Sequence, residues 1–192
     1  MQTAISDQTG NTDVDIQKFP IYVYSNLGSR DKMAVTRYLT KFMTTDKSVK
    51  NSDFKQKHNG IISIAGSFLP SKVRNITAYL GLVALSKFGD YDSVVLTHNQ
   101  MIIGHNAFQI HRYDNTLHVF SIGVSPSYQG RGLARAMQTY TFELARGKGI
   151  EKVRIGGGKS PEICGLCKKL EKISDQLNVE PLPNYWFKIK TN

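Results

Sequence analysis

Val124-Ser-Pro-Ser-Tyr-Gln-Gly-Arg-Gly-Leu-Ala134 is the stretch on which the fold of this 192-residue chain turns. Before it, Leu117 to Val124 alternates in the manner of a strand. After it, Leu133, Met137, Tyr140 and Leu144 recur at helical spacing through Arg146, and Gly147 closes the run. The spacing therefore predicts a strand, a tight turn holding Gly130 and Gly132, and a helix. The first N–H groups of a helix have no intrahelical partner, and the helix dipole makes that end positive. Glycines keep Cβ atoms out of the turn, so an anion can approach bare backbone. Arg131 adds a charged donor. Elementary physics thus predicts a polyphosphate site here.

The order of residues is more specific than the turn. Gln129-x-x-Gly132-x-Ala134 resembles the Q/R-x-x-G-x-G/A signature of the Gcn5-related N-acetyltransferase (GNAT) superfamily, whose loop holds the pyrophosphate of acetyl-coenzyme A. The likeness extends from about Ser93 to Leu170 and takes in Glu143-Leu-Ala, Gly147-Lys-Gly-Ile and the strand at Val153. It implies a mixed α/β fold with a central, mostly antiparallel sheet, splayed in the middle and flanked by helices. It further implies that Gln129, Gly130, Arg131, Gly132, Leu133 and Ala134 hold the pyrophosphate, and that backbone groups at Ile122, Gly123 and Val124 pair with the pantetheine arm as an added strand would. A dinucleotide fingerprint would need three glycines in another spacing and a later acidic residue, neither of which is present.

Composition sets outer bounds. The length suits one domain, 18–192, preceded by a polar, flexible arm over 1–17 that carries Asp7, Asp13 and Asp15. Two cysteines, Cys164 and Cys167, do not make a disulfide framework and suggest a reducing compartment. The N-terminus lacks a basic region followed by an apolar one, and no apolar run reaches membrane-spanning length. These features predict a cytoplasmic protein with no membrane partner. Twenty-five Lys and Arg against fifteen Asp and Glu leave a formal charge of +10, which attracts polyanions. Coenzyme A is one; an acidic or nucleic-acid acceptor is another.

Along the chain, Pro20 to Tyr24 reads as a first strand and Ser29 to about Met43 as a helix. Thr44 to Asn59 is polar, with Lys47, Lys50, Lys55 and Lys57, and reads as a solvated loop or, by the resemblance, as the acceptor side of a cleft. Ile61 to Phe68 is apolar without a decisive period, and Ser71 to about Lys87 predicts a second helix. Three strands follow, Ser93 to Thr97, Met101 to His111 and Leu117 to Val124, with turns at His98-Asn-Gln100 and Asp114-Asn115. Beyond the loop helix come the strand Val153 to Ile155, a helix over Ser160 to Leu170 and a final strand, Tyr185 to Lys190. The strand before that last one is barely visible.

Candidate catalytic residues come from the same resemblance. Many members carry an Asn before the helix and a Tyr seven residues on, which protonates the departing thiolate. Here Ser160 stands at the Asn position and Cys167 at the Tyr position, and a cysteine is too short to reach the same point. His118 falls where some members place a glutamate that deprotonates the acceptor amine, and imidazole can do that near neutral pH. A two-residue loop at Asp114-Asn115 would set His111 opposite His118, and a neighbouring imidazole would keep His118 neutral. The same pair is also compatible with simple packing on the sheet. Gly156-Gly-Gly-Lys-Ser160 ends like a P-loop but has Val153 where that motif requires glycine. Cys164-Gly-Leu-Cys167 has no second cysteine pair to complete a zinc site, so no metal is expected. The chain is thus expected to be an acetyl-coenzyme A-dependent N-acetyltransferase acting on an amine acceptor. The alternative is a binding module that keeps the fold without catalysis.

Overall fold

The computed structural model describes residues 19–35, 38, 91–156 and 161–190. The arm at 1–17, the lysine-rich segment 44–59, the apolar stretch 61–68, the helix expected at 71–87 and Ser160 lie outside the described residues. Seven strands form one sheet: β1 (Ile21–Val23), β2 (Tyr91–His98), β3 (Met101–His111), β4 (Thr116–Val124), β5 (Lys152–Ile155), β6 (Val179–Leu182) and β7 (Trp186–Ile189). Their order is β1-β2-β3-β4-β5-β7-β6, and among these neighbours only β4 and β5 run parallel. The helix α1 (Leu133–Gly147) makes that parallel crossover, and α2 (Pro161–Lys172) connects β5 to the β6–β7 hairpin.

Alternation along the strands decides the two faces. Val94, Leu96, Phe108, Leu117, Val119, Val153 and Ile155 point to one face and form the main core with Leu133, Met137 and Phe142 of α1 and Leu166 and Leu170 of α2. Each fully buried side chain of this size contributes about 1.5–3 kcal/mol. Within that core Asn106 Nδ2 donates to Gln138 Oε1 (3.0 Å) and to Thr141 Oγ1 (2.7 Å), tying β3 to α1. On the other face Val95 packs with Tyr24 and Val35, the last from a helical stretch at 29–35.

Two details differ from the sequence expectation. The β3–β4 connection is four residues long, Arg112 to Asn115, because β3 runs to His111 and β4 begins at Thr116. In consequence His118 pairs with Gln109 and His111 with Thr116, so the two histidines are diagonal and not opposite. The barely visible strand is β6. It contains Glu180 and Pro181, and a proline is tolerated there because β6 is the sheet edge.

Candidate active site

The sheet opens between β4 and β5. Their pairing runs from Thr116–Lys152 to Val119–Ile155, and the Gly156 N–H then donates to the Val119 carbonyl at 2.8 Å. Beyond that point β4 continues through Val124 while β5 has ended. A register shift accompanies the opening: Phe108 pairs with Val119 and Ala107 with Ser121, which leaves Phe120 as an extra residue on β4. A bulge of this kind bends its strand and ends pairing, so it parts β4 from β5 at the vertex. The Ser125 N–H donates to the Ile103 carbonyl, and Gly123 pairs with His105. Backbone groups alternate sides, so those of Ile122 and Val124 turn away from β3 into the opening.

The glycine loop sits at the same end. Pro126–Tyr128 forms one 3-10 turn, and Gly130 (φ 77°) and Gly132 (φ 73°) both adopt left-handed backbone. Gly132 is the N-cap of α1, and no side chain caps it. The first i→i−4 bond runs from the Ala136 N–H to the Gly132 carbonyl, so the donors before it lie at an exposed, positive helix end. This arrangement fits a pyrophosphate on chemical grounds. Two side chains expected to meet the phosphates are turned inward. Gln129 Nε2 donates to the Val124 carbonyl at 2.9 Å, bracing the loop on the strand end. The Arg131 guanidinium donates to the Ser127 carbonyl at 3.2 Å and lies over the Tyr128 ring. Leu133 is buried and Ala134 half-buried at the start of α1, so these two contribute backbone.

His118 lies one rung before the vertex, paired with Arg154. Its ring stands 4.4 Å from that of His111 and 5.0 Å from that of Trp186, edge-on to the latter. Burial lowers its pKa below the ordinary imidazole value, helped by His111 and Arg154 and opposed by Asp114. The Thr116 hydroxyl donates to Asp114 Oδ1 (2.7 Å) and stands 3.4 Å from His118 Nε2. With its proton so used, Thr116 can only accept from the ring, which assigns the Nε2–H tautomer and leaves Nδ1 as the basic nitrogen. A cavity of about 420 Å³ beside it is lined by Asp114, Thr116, Lys152, Leu182, Pro183 and Trp186.

Cys167 is fully buried in the main core, and burial pushes its thiol up to about 11, with Glu171 and Cys164 adding to the rise. It faces α1 and the sheet, so it has no access to a thiolate in the opening. The structure brings another pair to the vertex. Tyr185, in the β6–β7 turn, accepts the Ile155 N–H on its carbonyl (3.0 Å), and its hydroxyl is 3.1 Å from Cys164 Sγ on α2. Sequence reasoning missed Tyr185 because no local pattern places a turn residue against a helix twenty-one positions away.

Residues 69–160 match the model of the acetyltransferase (GNAT) family. By sequence, no curated protein matches the chain. Solved structures do match in fold. An aminoglycoside acetyltransferase from an uncultured soil metagenomic sample, in complex with trehalose, aligns with TM-score 0.55 and 16% identity over 81% of this chain and 88% of its own. A ribosomal-protein-S5-alanine acetyltransferase from Vibrio fischeri gives 0.53 and 16% over 85% and 80%. The PaiA N-acetyltransferase from Thermoplasma acidophilum, in complex with coenzyme A, gives 0.50 and 12% over 89% and 99%.

Proposed function

Because this chain belongs to the GNAT family of acetyltransferases, we propose that it moves the acetyl group of acetyl-coenzyme A to an amine at the β4–β5 opening. One observation carries the reading: an uncapped α1 N-terminus with two left-handed glycines stands beside a strand whose backbone groups at Ile122 and Val124 face no partner strand. When bound, acetyl-coenzyme A supplies a thioester carbon open to attack. The α1 N–H groups with Gly130 and Gly132 receive its pyrophosphate. Ile122 offers its backbone to the pantetheine amides, as does the Val124 N–H. The Val124 carbonyl is already held by Gln129. His118 Nδ1 takes the proton of the attacking amine, which approaches from the Asp114–Trp186 cavity. Asp114 favours a cationic ammonium at its mouth.

Proteins and aminoglycosides named among the structural neighbours define the first amines to screen. The charge of +10 adds a polyanionic acceptor, nucleic acid ahead of an acidic protein surface. The test has two stages. Calorimetric titration with acetyl-coenzyme A should show binding, and incubation with an N-terminal alanine peptide, an aminoglycoside and an amine-bearing RNA should release free coenzyme A with at least one. Binding without release for any amine would favour the module that keeps the fold without catalysis, the reading to which the burial of Cys167 lends weight. Absence of binding would remove both.

A further inference from the structure

Tyr185 is a bulky residue at φ 63°, in tandem with Asn184 at φ 60°. Asparagine tolerates the left-handed region, whereas an aromatic there is a true outlier costing about 1–3 kcal/mol. Such strain persists only where surrounding contacts impose it. Here the turn is held at the vertex by the Ile155 N–H, the last residue of β5. The hydroxyl is held at the first turn of α2 by Cys164. That turn itself lies on the vertex, since a Cβ on Gly156 would meet Ile163 Cγ2 at 3.3 Å. The strained backbone thus delivers a phenol to the place where β4 and β5 part.

Acetyl transfer to an amine forms a C–N bond and breaks a C–S bond. The amine's proton leaves to a base, and the departing sulfur carries the electron pair of the broken bond and needs a proton. Cys167 is sealed in the core and cannot supply it. We propose that Tyr185 is the proton donor to the departing coenzyme A thiolate, delivered by the β6–β7 turn and oriented by Cys164. This proposal rests on the cofactor reading above. The phenol gives its proton to sulfur and regains one from solvent. Either atom of the Tyr185–Cys164 pair can donate, and a thiol donating to the phenol oxygen leaves the phenol proton free for the opening. The titratable groups acting on the phenol are Cys164, Cys167 and Glu171, all on α2, and they raise its pKa, the hydrogen bond with Cys164 most. It therefore holds its proton at neutral pH, as a donor must.

The test reads the sulfur directly and needs no acceptor. The thiolate absorbance of bound coenzyme A is titrated against pH in wild type and Tyr185→Phe, with the desulfo-coenzyme A complex subtracted so that Cys164 and Cys167 cancel. A donor at the sulfur should make the bound thiol ionise about one pH unit lower in wild type than in the variant, a tenfold difference in ionisation constant. Coenzyme A bound by both proteins with the same thiol titration overturns the role of Tyr185 and leaves the cofactor reading intact. No binding by wild type in calorimetry overturns both. Should the Phe variant not fold, Tyr185→Asn, which suits the left-handed backbone, takes its place with the same expected shift.

Discussion

His118 is half-buried between His111 and Trp186, and its environment disfavours the charged form. The sign follows from linkage. With the folded pKa below the unfolded value of about 6.5, the unfolded chain binds more protons between the two. The neutral imidazole therefore contributes stability that is whole above the unfolded value and is lost as pH falls through the folded one. Melting temperature should drop less on acidification in His118→Phe than in wild type. If His118 is the base, the acidic limb of the rate profile should lie below the ordinary imidazole pKa. His118→Ala should then remove that limb and lower kcat by about 10²–10⁴-fold with acetyl-coenzyme A affinity kept. An unchanged profile would return His118 to packing on the sheet. Gly132 offers a second residue-scale test. A side chain at φ 73° strains the backbone by about 1–3 kcal/mol, and a carboxylate at the α1 N-terminus repels phosphate. Gly132→Glu should stay folded with a lowered melting temperature and lose acetyl-coenzyme A binding in calorimetry.

The element on which the site depends most is α1, because its placement aims its N-terminus at the opening. Gly104 on β3 lets it dock. A Cβ there would stand 3.1 Å from Met137 Cε and 3.2 Å from the carbonyl oxygen of Gly123. The methionine can give way, but the strand backbone cannot, so Gly104→Ala should cost about 1–3 kcal/mol. The same push falls on β4 beside Ile122 and Val124, so cofactor affinity should fall with stability. Urea unfolding and calorimetry on one sample would separate this from a purely local effect, which would leave affinity unchanged. Asn106 fixes the rotation of α1 through Gln138 and Thr141, and Asn106→Ala should cost about 1–3 kcal/mol by stranding buried polar atoms.

At the scale of the whole molecule, charge and fold make separate statements. A charge of +10 exceeds what one coenzyme's phosphates require. If the excess serves a polyanionic acceptor, binding of labelled RNA should weaken steeply with salt. Replacement of Lys47, Lys50, Lys55 and Lys57 by Gln should then reduce both affinity and salt dependence. Equal binding by wild type and variant at low salt would make that segment a solvated face and favour a small amine.

What the sequence by itself determined is local. Gly130 and Gly132 beside a helical apolar period place an anion-accepting turn, and alternation over β2, β3 and β4 places three strands, because both signals are written in neighbouring residues. Val179–Leu182 was nearly silent because an edge strand with Pro181 lacks the composition that marks a strand. The register of His118 depended on a turn whose length the residues Asp114-Asn115 did not specify. Only the tertiary structure decided where β4 leaves β5, since that rests on a bulge at Phe120 and on the end of a strand thirty positions on. It also decided the fate of two side chains. Cys167 is sealed by α1 and the sheet, and Tyr185 is carried to α2 by a strained turn. Burial and proximity between distant segments are properties of packing, and no local pattern of residues encodes them.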